Sequence, residues 1–243
     1  MNTFITSIKR TESEVPEKMN IHKYRGGTVQ KALLFCGFLS SLWYVAINII
    51  VPVYYPGYSA MSLTVSELSA IGAPTRYLWV VLCIPYTLLE IAFGCGILLS
   101  AGRNRPLRVV GILLIIYGLI GAFWPPMHQR EVLAAGGKSL TDTLHIIFTM
   151  VTGLLMMLAM GFGAAAFGKW FRRYSVVTIL LLLIFGTTTG FYAPRLEANL
   201  PTPWMGVWER INIYATMLWL LVLAIVLLRK DDKLDLPTKS TSV

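Results

Sequence analysis

The sequence predicts an all-α integral membrane protein, a bundle of six transmembrane helices with both termini in the cytoplasm. Apolar residues make up 56% of the 243 residues and charged residues only 14%, whereas soluble proteins have about 25% charged residues. Apolar runs of about 20 residues, the length that crosses a bilayer, recur along the chain. Lys and Arg cluster in the short stretches between these runs, where they are expected to set the topology.

Each apolar run is a predicted span, and its limits follow from the polar residues at its ends. The predicted spans are 32–53, 77–100, a third run that follows Arg108 and ends at 124–126, 139–168, 175–192 and 204–228. Residues 1–31 are predicted to form a cytoplasmic polar tail, 32–228 one six-helix domain, and 229–243 a cytoplasmic C-terminal tail. No charged or Pro- and Gly-rich linker separates the runs into two domains.

The distribution of basic residues predicts the orientation. With both termini in the cytoplasm, the outer side holds only five of the 21 Lys and Arg residues, namely Arg76, Arg130, Lys138, Arg195 and Arg210. This bias is what the positive-inside rule expects of a multi-pass protein of the cell membrane, inner or plasma. The net charge of +9 is divided among short clusters, which argues against a phosphate-binding face and therefore against a nucleic-acid partner.

Two local patterns predict structure at the ends of the spans. Thr64-x-x-Glu67 fits a capping box, and the short helix that it opens is expected to end near Gly72 and Pro74. The second half of the fourth span, LAMGFGAAAFG at 158–168, is rich in small residues. Such residues allow the backbone of a neighbouring helix to approach closely.

The stretch 123–149 holds the best functional candidates, His128, Asp142 and His145. Asp142 and His145 are three residues apart, so on a helix they share a face at about 5–6 Å between Cβ atoms. We expect the carboxylate to orient the imidazole of His145 and to raise its basicity, with His128 as a second imidazole. These three residues suffice for a divalent metal or for a metal-free acid/base pair, and we favour the metal-free arrangement.

Further ionisable residues are expected at the same outer end of the bundle. Glu67 and Glu209 are candidate carboxylates, and Arg130 or Arg210 suits an anionic head group because a guanidinium offers forked donors. Purely structural roles explain the same residues. Ser139-x-x-Asp142 is itself a capping box, Thr64 explains Glu67 in the same way, and Glu209 and Arg210 would pair with Arg195 or Glu197 at the water interface.

Glu90 falls near the middle of the second predicted span. An intramembrane carboxyl group is costly, so a function is the default hypothesis for it. It is either a proton-carrying group or a protonated structural group that is hydrogen-bonded to a neighbouring helix, with Asn48, Tyr117 or Thr152 as the expected partner.

At PPMHQR (125–130) and TDTLH (141–145) the chain resembles a prokaryotic multi-pass membrane family, domain of unknown function 998. The resemblance implies about six spans and a site made by a His-x-Arg element and a Thr-Asp-x-x-His element across the third connection. It implies no established activity. The alkaline-ceramidase-like membrane hydrolases use three histidines around zinc, and this chain departs from that pattern because only His128 and His145 lie near the outer end.

The leading hypothesis is therefore a membrane protein with an outward-facing polar His/Asp pocket. This pocket binds a lipid or isoprenoid-like hydrophobic molecule, with or without chemical modification of it, so whether the protein is an enzyme stays open. Membrane lipids and a hydrophobic small molecule are the expected partners. The alternative is a non-catalytic small-molecule or proton-coupled transporter, or a membrane assembly factor, in which Glu90 carries the proton.

Overall fold

The computed structural model describes residues 17–235, and side-chain environments for residues 27–230. Within this part of the chain it contains helices and irregular connections but no β-strand. The α-helices are α1 Glu17–Ile50, α2 Arg76–Ser100, α3 Arg105–Ala122, α4 Arg130–Ala134, α5 Leu140–Ala166, α6 Lys169–Glu197 and α7 Met205–Asp235. Two short 3₁₀ helices, Val51–Tyr54 and Ser66–Ser69, lie between α1 and α2.

Six helical segments are long and apolar enough to cross a membrane, which confirms the predicted all-α membrane fold. They are Gly27–Tyr54, Arg76–Ser100, Arg105–Ala122, Leu140–Ala166, Lys169–Glu197 and Met205–Lys230. The helices extend into both predicted tails, since α1 begins at Glu17 and α7 ends at Asp235. The rest of the tails, 1–16 and 236–243, lies outside the described residues. The cytoplasmic placement of the termini stays a prediction.

The six spans pack as a closed ring. Each contacts the next one along the chain, in the order α1, α2, α3, α5, α6, α7, and α7 contacts α1. Because the number of spans is even, the beginning of α1 and the end of α7 lie at the same end of the bundle. The connections 51–75, 123–139 and 198–204 lie at the opposite end, which we call the distal end. The core between the helices includes the fully buried Trp219, Phe93 and Leu34.

Glycines set the closest approach of the helices. A Cβ on Gly94 of α2 would lie 3.0 Å from the carbonyl oxygen of Gly111 of α3, and the reverse distance is also 3.0 Å. A Cβ on Gly96 would lie 2.8 Å from the backbone nitrogen of Leu34 in α1. Close backbone packing therefore occurs along α2. In the glycine-rich half of α5, Gly163 instead makes room for the Trp219 ring, which a Cβ at this position would approach to 2.7 Å.

We predict that Gly111→Ala destabilises the protein by about 1–3 kcal/mol, because the added methyl group overpacks the α2–α3 contact. Gly161→Ala is the matched control, since its Cβ meets no atom within 4 Å and alanine favours helix. Thermal unfolding of both variants in detergent measures the difference. Equal melting temperatures for the two variants would contradict the close α2–α3 packing.

Candidate functional site

The first and second distal connections lie against each other. The backbone N–H of Ile71 donates to the carbonyl oxygen of Met127 (2.7 Å), within an isolated parallel bridge between Ile71 and His128. The predicted short helix before Gly72 is the 3₁₀ helix Ser66–Ser69. Gly72 follows it with φ +91°, a left-handed conformation that favours glycine. The turn at Gly72 thus directs the chain from the 3₁₀ helix toward the second connection.

A buried ion pair joins Glu67 to Arg130, with side chains only 7% and 8% exposed. Nη2 of Arg130 donates to Oε2 of Glu67 at 2.8 Å, and Nε donates to Oε1. Oε2 also accepts from the backbone nitrogen and the hydroxyl of Thr64, at 2.7 and 2.9 Å. The predicted contact between Thr64 and Glu67 is therefore present, but the carboxylate also neutralises a guanidinium from another connection.

Arg130 contacts the third connection as well. Its Nη1 donates to the hydroxyl oxygen of Thr202 at 2.7 Å, and that hydroxyl donates to the carbonyl oxygen of Ser62 at 2.9 Å. One guanidinium therefore holds all three distal connections together. By comparison, the ion pair between Lys138 and Glu197 (2.7 Å) is exposed, with side chains 42% and 37% accessible.

Arg210 holds the turn at 60–63 against the start of α7. Its Nη1 donates to the carbonyl oxygens of Ala60 (2.8 Å) and Leu63 (3.1 Å), and its Nη2 donates to the phenol oxygen of Tyr58 (2.7 Å). A Cβ on Gly206 would overlap the same two carbonyl oxygens. The expected pairing of Arg210 with Glu197 is therefore wrong, because the turn covers the guanidinium.

Two neighbouring side chains, Tyr58 and Glu209, add to the contact between Arg210 and the first connection. Burial raises the pKa of Tyr58 above its ordinary value, although the adjacent Arg210 lowers it. The phenol therefore stays protonated and donates to the carbonyl oxygen of Thr64 at 2.7 Å. Glu209 accepts from the backbone nitrogen of Val65, so it too positions the first connection and does not pair with Arg195.

Asp142 pairs with His128 and caps α5. Its carboxylate accepts from the backbone nitrogen (2.7 Å) and Nδ1 (2.8 Å) of His128, and from the nitrogen (2.8 Å) and hydroxyl (3.0 Å) of Ser139. The predicted capping box is confirmed. The expected hydrogen bond between Asp142 and His145 is wrong, because the cap turns the carboxylate back toward the beginning of the helix.

His145 instead bridges two connections. Its Nδ1 lies 2.8 Å from the carbonyl oxygen of Pro125, and its Nε2 lies 3.0 Å from Oγ of Ser66. A carbonyl only accepts, so Nδ1 carries the proton and Nε2 accepts from the serine hydroxyl. The Trp124 ring packs edge-on against the imidazole at 5.4 Å between centroids. Sequence reasoning missed Ser66, since no local pattern relates it to a histidine 79 residues away.

The three candidate metal ligands do not converge. His128 and Asp142 are in contact, but both ring nitrogens of His145 have other partners. Among the residues that the structure describes, no group of three or more His, Cys, Asp or Glu side chains is arranged to hold a metal ion.

A pocket of about 470 Å³, which we call the distal pocket, opens beside the ion pair. It is lined by Tyr55, Ser62, Leu63 and Glu67, and by residues 129–131 and 199–203. Neither histidine lines it, and neither does Asp142, Glu209 or Arg210. The polar pocket is therefore built around Glu67 and Arg130 and not around the His/Asp group that the sequence suggested.

One wall of the distal pocket has an unusual backbone. Asn199, which begins the 199–203 segment, and Trp204, which directly follows it, have positive φ angles of 51° and 73°. Asparagine tolerates this conformation, whereas a bulky residue rarely adopts it. Such strain persists only where the surroundings enforce it and is common at binding sites.

Glu90 is fully buried between α1 and α2. Its Oε1 accepts from the hydroxyl of Ser40 at 2.8 Å, and its Oε2 has no hydrogen-bond partner within the described part of the chain. The partner is therefore Ser40, not Asn48, Tyr117 or Thr152 as expected. A carboxyl group with one neutral partner in a helix interface is best accommodated without a charge.

We predict that Arg130→Met lowers the free energy of unfolding by about 3–5 kcal/mol, because it leaves the Glu67 carboxylate buried without its counter-ion. In the double variant Arg130→Met with Glu67→Leu, the free energy of unfolding should fall by less than the sum of the losses in the two single variants. Lys138→Met is the control, and its exposed pair should contribute at most about 1 kcal/mol. Denaturant unfolding in detergent gives all of these values. An Arg130→Met loss no larger than that of Lys138→Met would contradict this assignment.

Comparison with known proteins gives a family but no activity. Residues 38–226 match the family described as "Protein of unknown function (DUF998)". Neither a curated protein nor a solved structure matches the chain. The matched region runs from α1 into α7 and includes both distal motifs, PPMHQR and TDTLH. Since this region is well over half of the chain, the six-span membrane protein belongs to the DUF998 family.

Proposed function

We propose that the protein binds an amphiphilic molecule, a lipid or an isoprenoid-like compound, with its polar head in the distal pocket. The observation that supports this proposal is the pocket itself, about 470 Å³ beside a buried ion pair at the end of a membrane bundle. Small-molecule sites have volumes of about 300–1,000 Å³ and combine apolar walls with a few fixed polar groups. Leu63, Leu200 and the prolines 201 and 203 provide the apolar part.

The lining favours a head group that forms hydrogen bonds and carries no net negative charge. Glu67 neutralises Arg130, and Arg210 lies outside the pocket. This argues against the anionic head group expected from the sequence. The remaining polar lining includes the exposed carboxylate of Glu131 and the amides of Gln129 and Asn199, together with the hydroxyl of Thr202. Amides and hydroxyls both donate and accept, as an alcohol, amide or sugar head group requires.

Apolar side chains are exposed at the same end of the bundle. Val53 is 80% exposed, Tyr54 63%, Trp204 53% and Leu200 48%. In a membrane such side chains contact lipid tails, and aromatic residues lie at the boundary with water. Leu200 belongs both to this surface and to the pocket lining. An amphiphile would therefore place its head in the pocket and its chain along this surface.

The proposed orientation makes the distal pocket face the outer leaflet. It follows from the five Lys and Arg residues that the topology assigns to the distal end, against 16 elsewhere (21 − 5). Ligands would then enter from the outer half of the bilayer.

We predict that Leu200→Trp weakens binding of an amphiphile, because the larger side chain occupies part of the distal pocket. Photo-crosslinking should fall by at least about fivefold, the ratio that about 1 kcal/mol of lost binding free energy gives. The full chain is reconstituted in phosphatidylcholine vesicles with either of two diazirine probes, a phosphatidylcholine or a polyprenol. Peptide mapping should locate the crosslinks at 129–131 and 199–203. The two probes separate a lipid from an isoprenoid ligand.

Leu183→Trp is the matched control, because Leu183 of α6 is 47% exposed and does not line the pocket. It should leave the crosslinking unchanged. Crosslinks spread evenly over the lipid-facing helices, or an equal loss in both variants, would contradict binding in the distal pocket.

A second candidate, proton-coupled transport, is favoured by the unpartnered Oε2 of Glu90. We predict that Glu90→Gln abolishes proton entry into vesicles that contain a pH-sensitive dye, since an amide cannot carry the proton. Glu197→Gln is the control, as Glu197 forms only the exposed ion pair with Lys138 and does not line the distal pocket. Equal proton entry in wild type and Glu90→Gln would leave Glu90 with only its structural contact to Ser40.

A further inference from the structure

Ser66 and His145 form a pair that the binding proposal does not use. The hydroxyl of Ser66 donates to Nε2 of His145 at 3.0 Å, and Nδ1 of His145 donates to the carbonyl oxygen of Pro125 at 2.8 Å. A nucleophile on a base that is itself oriented by a third group is the arrangement that activates serine. We propose that Ser66 accepts an acyl group from a carboxylic ester of a membrane amphiphile, with His145 as the general base.

The hydrogen bond to Pro125 sets the tautomer that this reaction needs. With the proton held on Nδ1, the lone pair of Nε2 faces the serine hydroxyl. The same carbonyl stabilises the imidazolium that forms when the serine proton is transferred. No carboxylate is needed for this orientation, and Asp142 is already occupied by His128.

Burial distinguishes the two members of the pair. His145 is only 6% exposed, behind the Trp124 ring, whereas Ser66 is partly exposed. A substrate therefore meets the hydroxyl, while the imidazole is shielded from water.

Ser66 is held in place from both sides. The backbone nitrogen of Val65 donates to Glu209, and the carboxylate of Glu67 pairs with Arg130. The residue between them therefore has little freedom to move away from His145. A reactive group held in this way avoids the entropic cost of orientation in each reaction.

The position of the pair along α5 points to a class of substrate, with the beginning of α5 placed at the boundary with water. His145 lies five residues after Leu140, the beginning of α5, which is about 8 Å along the helix. The interfacial layer on each side of the hydrocarbon core is about 5–8 Å thick, and glycerolipids carry their ester groups in this layer. Phe123 and Ile146, the sequence neighbours of Trp124 and His145, are 78% and 41% exposed, so apolar surface for an acyl chain is present beside these residues.

Transfer of the acyl group to Ser66 needs only the ester, and release of the acid afterwards needs one water molecule. The Ser66 oxygen forms a bond with the ester carbonyl carbon while its proton moves to Nε2 of His145. The bond between the carbonyl carbon and the alcohol oxygen then breaks, and His145 returns the proton to the leaving alcohol. Water hydrolyses the acyl-serine by the same two proton transfers, which releases the acid and restores Ser66.

The test uses a fluorophosphonate probe on the full chain in detergent, followed by peptide mapping. We expect labelling at Ser66 that Ser66→Ala abolishes and that His145→Asn slows by about 100-fold or more, the usual contribution of a general base. Ser69→Ala is the matched control on the same 3₁₀ helix, because the Ser69 hydroxyl donates only to the carbonyl oxygen of Ser66 (3.1 Å). The Ser69→Ala variant should be labelled at Ser66 as the wild type is.

A second measurement keeps the test valid if His145→Asn does not fold. Ser66→Cys should react with iodoacetamide at neutral pH about tenfold faster than Ser59→Cys, although position 59 is the more exposed of the two, because an adjacent imidazole stabilises the thiolate. Absence of Ser66 labelling in folded wild type, or equal rates for the two thiols, would overturn the proposal. The probes need no lipid, so either failure leaves binding in the distal pocket untouched, and a failed lipid crosslink leaves this assignment untouched.

Discussion

Glu67 and Arg130 lie 63 residues apart in the sequence and in direct contact at the distal end. Little water reaches either charge, so removal of one side chain would leave the other in a site that cannot solvate it. The same guanidinium contacts Thr202 and the carbonyl oxygen of Ser62. The wall of the distal pocket and the position of Ser66, next to Glu67, therefore both depend on this one ion pair.

The membrane spans and the distal end are held together by different forces. Within the spans, lipid removes most of the hydrophobic drive for helix association, and close packing takes its place. Gly94 and Gly111 show this most clearly, because their backbones meet directly. At the distal end, guanidinium groups and carboxylates organise irregular backbone instead. Arg210 alone satisfies the carbonyl oxygens of Ala60 and Leu63, which a helix would satisfy internally.

The sequence was sufficient for features that depend on neighbouring residues. Span length follows from hydropathy, and the Ser139-x-x-Asp142 cap is encoded within one helical turn. The contacts of the candidate site are different, because their partners lie far apart in the chain. Ser66 and His145 are 79 residues apart, and Ser40 and Glu90 are 50 residues apart. The spacing of Asp142 and His145 suggested a pair, but it could not show that His128 and the helix cap compete for the same carboxylate.

The ring of helices has a consequence for biosynthesis. α1 enters the membrane first and α7 last, yet the two are neighbours in the finished bundle. Until translation reaches α7, one flank of α1 and the recess at Gly163 that receives the Trp219 ring remain open to lipid or to the insertion machinery. The ribosome must therefore release all six spans before the last side of the bundle can be sealed.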